Sequence, residues 1–106
     1  MFIVCVTACP TGIAHTFMAA ESLQKHATAK GIEIKVETQG SLGIDNEIDE
    51  NDIDRADGAI IATAVAIEGA ERFEGLPLIE CAVEDPIGEG EAVIDALLAE
   101  IESAQG

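Results

Sequence analysis

The 106-residue sequence predicts an α/β fold, a three-layer sandwich in which a four-stranded parallel sheet, ordered 2-1-3-4, is covered by helices on both faces. Three observations predict it. Phe2 to Ala8 and Gly58 to Ala64 are continuous apolar runs, which suit strands buried on both faces. Segments with apolar residues at three- and four-residue steps alternate with such runs, as helices packed on a sheet do. The apolar residues are mostly Ala, Ile, Val and Leu, with three Phe and no Trp or Tyr, so the core must be built from many small packings. One core suffices for a chain of this length, and residues 1–106 are read as a single domain.

Each element follows from local signals. Phe2 to Ala8 is the first strand, broken by Gly12. From about Ala14 to Lys30, Ile13, Phe17, Ala20, Leu23 and Ala27 mark the core stripe of a helix, and Gly31 stops it. Ile32, Ile34 and Val36 alternate with Glu33, Lys35 and Glu37, which predicts a half-exposed edge strand ended by a turn at Thr38-Gln39-Gly40-Ser41. Asp49 or Asn51 is placed to cap a short helix running through Ala56, thinly anchored by Ile48 and Ile53. Gly58 to Ala64 is the third strand, Gly69 to Phe73 holds a weak turn, and Leu78 to Val83 is the fourth strand. After Pro86, Gly88 and Gly90, a stripe of Ala92, Val93, Ala96, Leu97 and Ile101 marks the last helix.

Charge narrows the functional classes. Five basic and twenty-one acidic residues give a formal net charge of −16, which repels nucleic acid and anionic lipid. No acid precedes Glu21, so the region around Cys9 is free of local repulsion. Acidity on this scale, with three Lys, fits adaptation to concentrated salt, where self-repulsion is screened. Cys5, Cys9 and Cys81 form neither Cys-x-x-Cys nor a zinc spacing, and their odd number argues for a reducing compartment. No signal peptide and no apolar stretch of about 18 residues is present, so the chain is read as cytoplasmic, with no direct insertion into a membrane. Nothing implies a metal or another cofactor.

With the first strand central, its C-terminal end is the topological switch point of the sheet, and Cys9 lies there. The segment Cys9-Pro10-Thr11-Gly12-Ile13-Ala14-His15-Thr16 leads from the strand into a helix, the arrangement of a P-loop-like phosphate cradle. Consecutive backbone N–H groups and the helix dipole would stabilise both an anion and the Cys9 thiolate. Thr11 and Thr16 add hydroxyl donors. His15 stands where phosphatases of the Cys-x5-Arg type place a clamping arginine; a histidine is a weaker, pH-dependent clamp and suits a carrier that releases its phosphoryl group. The alternative for His15 is a helix-capping residue without chemistry. Gln39, Gly40 and Ser41, after the neighbouring strand, form a candidate second wall. Cys5, Cys81, His26, Phe17 and Met18 are read as structural.

Three other classes share some of these features. A phosphatase would need an arginine in the loop, which is missing. A thiol redox module needs a resolving cysteine, and only Cys5 is near, turned into the core. A regulatory binding module would keep its function without the thiol.

The run Ala8-Cys9-Pro10-Thr11-Gly12-Ile13-Ala14-His15-Thr16-Phe17-Met18-Ala19-Ala20-Glu21, followed by Val36-Glu37-Thr38-Gln39-Gly40-Ser41, resembles the two hallmarks of the fructose-specific IIB (EIIB) domains of the phosphoenolpyruvate-dependent sugar phosphotransferase system. Weaker likenesses at Asp52-Ile53, Ala56-Asp57 and Arg72-Phe73 extend it along most of the chain. The resemblance implies a phosphohistidine:fructose phosphotransferase that takes a phosphoryl group from a phosphohistidine on a IIA (EIIA) partner. It would hold the group on Cys9 and pass it to fructose bound in the membrane-embedded IIC (EIIC) partner, giving fructose 1-phosphate. The chain departs from the family pattern at Thr63 to Ile67, which is unusually apolar, and at Leu76, where a lysine is common; both bear on partner docking rather than on Cys9.

Overall fold

The computed structural model describes residues 1–8, 13–40, 43–63, 67 and 69–105. In chain order the elements are β1 (Phe2–Ala8), α1 (Ile13–Ala29), β2 (Glu33–Gly40), β3 (Gly43–Asp45), α2 (Glu50–Arg55), β4 (Gly58–Thr63), a 3-10 turn (Ala70–Phe73), β5 (Leu78–Cys81) and α3 (Glu84–Gln105). The sheet has five strands in the order β3-β2-β1-β4-β5. This corrects the four-stranded, all-parallel expectation: β2, β1, β4 and β5 form a parallel core, and β3 joins β2 antiparallel at the edge. The strand expected to lie at the edge is therefore covered over its last residues.

Alternation along the strands divides the core in two. Ile3 and Cys5 of β1 and Ile60 and Ala62 of β4 face α1 and α3, packing with Leu23, Ala27, Ile94, Leu97 and Ile101. Phe2, Val4 and Val6, with Ala59 and Ile61, face the opposite layer, where Ile48, Ile53 and Phe73 close over them. All seven residues of β1 are buried, as a central strand covered on both faces requires. The second layer is thin because α2 has only six residues and buries none of them fully. A capping box secures it: Asp49 accepts from the Asp52 N–H, and Asp52 accepts from the Asp49 N–H.

The helix faces differ from the expected stripes. In α1 the buried line runs Thr16, Ala19, Ala20, Leu23, Ala27, while Phe17 and Met18, expected in the core, are each 49% exposed. In α3 the line is Val93, Ile94, Leu97, Ile101, and Ala92 and Ala96 face solvent. The last helix also starts earlier than expected, at Glu84, because Pro86 falls in its first turn, where no N–H is needed. The Gly88-Gly90 segment survives as a kink at Glu89 (φ −136°, ψ 47°). Gly90 lets α3 approach α1 closely: a Cβ there would stand 2.5 Å from Ser22 Oγ, and that hydroxyl donates to the Pro86 carbonyl at 2.6 Å.

Candidate functional site

The central strand, its two neighbours and the first helix converge at one rim of the sheet. Ala8, the last residue of β1, pairs with Gln39 of β2 on one side and Thr63 of β4 on the other. With parallel neighbours on both sides of β1, this rim is the crevice at the carboxyl ends of the strands. Helix α1 opens beside it with no acid in its first turn. The Thr7 hydroxyl donates to the Thr16 carbonyl at 3.2 Å in a buried bond, which ties the start of α1 to the end of β1. Thr16 is 2% exposed, and its own Oγ1 has no partner among the described residues. A buried hydroxyl left unpaired costs roughly 1–3 kcal/mol, so one beside an anion-favouring helix terminus is a ready donor.

Of the expected site residues, His15 and Thr16 are placed together in the first turn and a half of α1, His15 exposed and Thr16 buried. Ile13 and Ala14 begin the helix. Cys9, Pro10, Thr11, Gly12 and Ser41 lie outside the described residues. Gln39 and Gly40 belong to β2 rather than to a turn, because the parallel pairing with β1 continues through Gln39 and β3 pairs with Gly40. The chain thus holds Gln39 by a strand ladder beside Ala8.

A heavily bonded polar group near this rim was not legible in the sequence. Glu37, expected on a solvent face, is 0% exposed. Its Oε1 accepts from Arg72 Nη1 at 2.8 Å and from the Ile48 N–H at 2.8 Å. Its Oε2 accepts from Arg72 Nη2 at 3.0 Å and from Gln39 Nε2 at 2.7 Å. Arg72 in turn donates from Nε to the Gly69 carbonyl and from Nη1 to the Ile48 carbonyl, both at 2.7 Å, and its guanidinium lies 5.0 Å from the Phe73 ring centre. Burial pushes the Glu37 carboxyl up more than any single other influence. The hydrogen bonds from Arg72, Gln39 and Ile48, together with the Arg72 charge, outweigh it and leave the carboxyl below its ordinary value. The available signal was compositional: Arg72 is one of two arginines in a chain with twenty-one acids.

Burial raises the thiols of both other cysteines. Burial, then the neighbouring Cys81, pushes the Cys5 thiol far above its usual range, against a smaller opposing bond from Ile60. Burial, then Asp85, raises Cys81 to about 11. His26 Nδ1 lies 2.9 Å from the Ser22 carbonyl in its own helix. Among the described residues no cluster of His, Cys, Asp or Glu could hold a metal ion, and no helix is long and apolar enough to cross a membrane.

Comparison with known proteins gives a consistent answer. A family model described as the lactose/cellobiose-specific IIB subunit of the phosphotransferase system matches residues 4–96. The fructose-like EIIB component 2 of Escherichia coli (strain K12) is 42% identical over 99 residues, covering 93% of each chain. The 2-O-alpha-mannosyl-D-glycerate-specific EIIABC component of the same organism is 46% identical over 96 residues, which make up 91% of this chain but 15% of that protein. Among solved structures, a predicted fructose-specific IIB from Escherichia coli superposes with a TM-score of 0.89 at 39% identity, covering 94% of this chain and 88% of that one. A domain of a fructose-specific IIABC component from Borrelia burgdorferi gives 0.88 at 39% identity, covering 92% and 93%. With the family model spanning most of the chain and fructose-like relatives matching it nearly end to end, this protein belongs to the IIB family of the sugar phosphotransferase system, whose members take part in phosphoryl transfer.

Proposed function

We propose that this chain is a phosphocysteine carrier, a single domain working in the cytoplasm, with Cys9 as its nucleophile. The Cys9 thiolate attacks the phosphorus of a phosphohistidine on a IIA partner; the S–P bond forms as the P–N bond breaks, and the imidazole leaves and takes up a proton. A hydroxyl of fructose held by a membrane IIC partner then attacks, forming the O–P bond, releasing the thiolate and losing its proton to solvent. The product is fructose 1-phosphate. No resident cofactor enters either step.

The backbone N–H groups of the segment from Thr11 to Thr16, interrupted at no position by a second proline, cradle the three phosphoryl oxygens. Pro10 has no N–H to give, and Gly12 and Ala14 bring little side-chain bulk to the segment that also holds Ile13. Thr11, His15 and Thr16 donate from their side chains, and Gln39, Gly40 and Ser41 form the second wall. Exposed Phe17 and Met18 beside His15 offer apolar surface to a docking partner. The observation that carries the reading is the buried Thr16 hydroxyl, without a partner among the described residues, in the opening turns of α1 and on a residue tied through its carbonyl to the central strand.

The test is phosphoenolpyruvate-driven labelling with the upstream phosphotransferase proteins. Wild type and Cys81→Ser should take the label and Cys9→Ser should not. Label retained in Cys9→Ser, or lost in Cys81→Ser alone, overturns the assignment.

A further inference from the structure

Burying an ion pair is a poor way to gain stability, since apolar residues of similar volume often serve as well or better. Glu37 nevertheless sits fully buried, and with Arg72 it joins separate pieces of chain: β2, the segment at Ile48, and the turn that runs from Gly69 through Phe73. These pieces meet on one face of the sheet, next to Val6 and Ala8. The fourth bond to the carboxylate comes from Gln39, two residues along the same strand and on the same face, directly across from Ala8. Cys9 is the next residue after Ala8. An amide side chain ordinarily has freedom about its last torsion, but here its nitrogen is committed to Glu37 Oε2, and the oxygen end is thereby oriented as well.

We propose that Glu37 and Arg72 are positioning residues for phosphoryl transfer: the pair fixes the Gln39 amide beside Ala8, the residue that precedes Cys9 in the sequence. This rests on the carrier reading above and extends it to two residues away from the reacting atoms. Arg72 acts through Glu37. Its forked guanidinium holds both carboxylate oxygens, which no lysine could reproduce. Among the described residues, Arg72 Nη1 and Nη2 both reach the Glu37 carboxylate.

The experiment compares wild type, Gln39→Ala, Glu37→Gln, Arg72→Met and the double variant Glu37→Met/Arg72→Met. Each is read by the rate of label transfer from the IIA donor, by the 31P resonance of the phosphorylated protein and by the urea midpoint. Misplacement of a positioned group by about 1 Å costs up to about a hundredfold, so losses of about ten- to a hundredfold are expected for Gln39→Ala, Glu37→Gln and Arg72→Met. The apolar double variant should regain a urea midpoint near that of wild type, yet transfer as slowly as Gln39→Ala and keep a shifted 31P resonance. Adding Gln39→Ala to it should cost nothing more.

A double variant that transfers at the wild-type rate would make the pair structural only and overturn the proposal. So would a Gln39→Ala protein that labels normally; that variant leaves the ion pair intact, so its result stands even where the double variant fails to fold. Failure of the carrier reading has its own signature, wild-type protein without Cys9-dependent label, and would overturn both.

Discussion

Replacing Gly58 by alanine should destabilise the fold by about 1–2 kcal/mol. Gly58 is the first residue of β4 and faces α3; a methyl group added there would stand 2.8 Å from Ile101 Cδ1, 2.9 Å from Ile101 Cγ1 and 3.0 Å from Leu97 Cδ1. Leu97 is 0% and Ile101 2% exposed, so neither can move its end into solvent. Overpacking of a full core costs about 1–3 kcal/mol, and the smaller conformational freedom of alanine in the unfolded chain returns about 0.4–1 kcal/mol; the steric contribution wins. The measurement is urea unfolding followed by circular dichroism. Ile101→Ala alone should cost about 2–5 kcal/mol through the cavity it leaves. In the double variant the new methyl enters that cavity, so the combined loss should fall short of the sum by about 1 kcal/mol, as touching residues require. A Gly58→Ala protein as stable as wild type, or strictly additive losses, would refute the packing argument between β4 and α3.

Two further outcomes follow from charge. The Glu37 carboxyl is held below its ordinary value of 4.5, so its network contributes fully above about pH 4.5 and is lost as pH falls through the lower folded-state value; Glu37→Gln should flatten the acid limb of a melting-temperature profile, and an unchanged limb would contradict the assignment. With a net charge of −16, self-repulsion should weaken as the Debye length shortens, so the melting temperature should rise between about 0.05 M and about 0.5 M sodium chloride; a flat or falling curve would remove the salt-adaptation reading.

The parts of the fold legible in the sequence are those fixed by one strong local pattern. β1 and β4 are buried on both faces, and an apolar run states that without reference to the rest of the chain. Gly31, at φ 73°, ends α1 where the glycine sits. Elements that depend on a distant partner were not legible. β2 continues through Thr38 and Gln39 because β1 pairs with them, and β3 exists because β2 lends it three partners. Phe17 missed the core because the buried face of α1 is set by Thr16, one position and about 100° around the helix, which Thr7 holds. The candidate site divides the same way. The motif from Cys9 to Thr16 is contiguous in the chain and is proposed from the sequence alone, whereas Glu37 and Arg72 are 35 residues apart and only the tertiary fold makes them one group.

The three-residue β3 has a consequence for self-association. Without it, the outer rim of β2 would offer its last peptide groups to any passing strand, including that of another copy. β3 occupies the positions opposite Thr38, Gln39 and Gly40, the portion beside the C-terminal end of β1. Farther along, Glu33 and Lys35 deter pairing by carrying charge, and the deep negative field of the whole molecule keeps copies apart. Acid would silence that field and leave β3 as the shield for this end of β2.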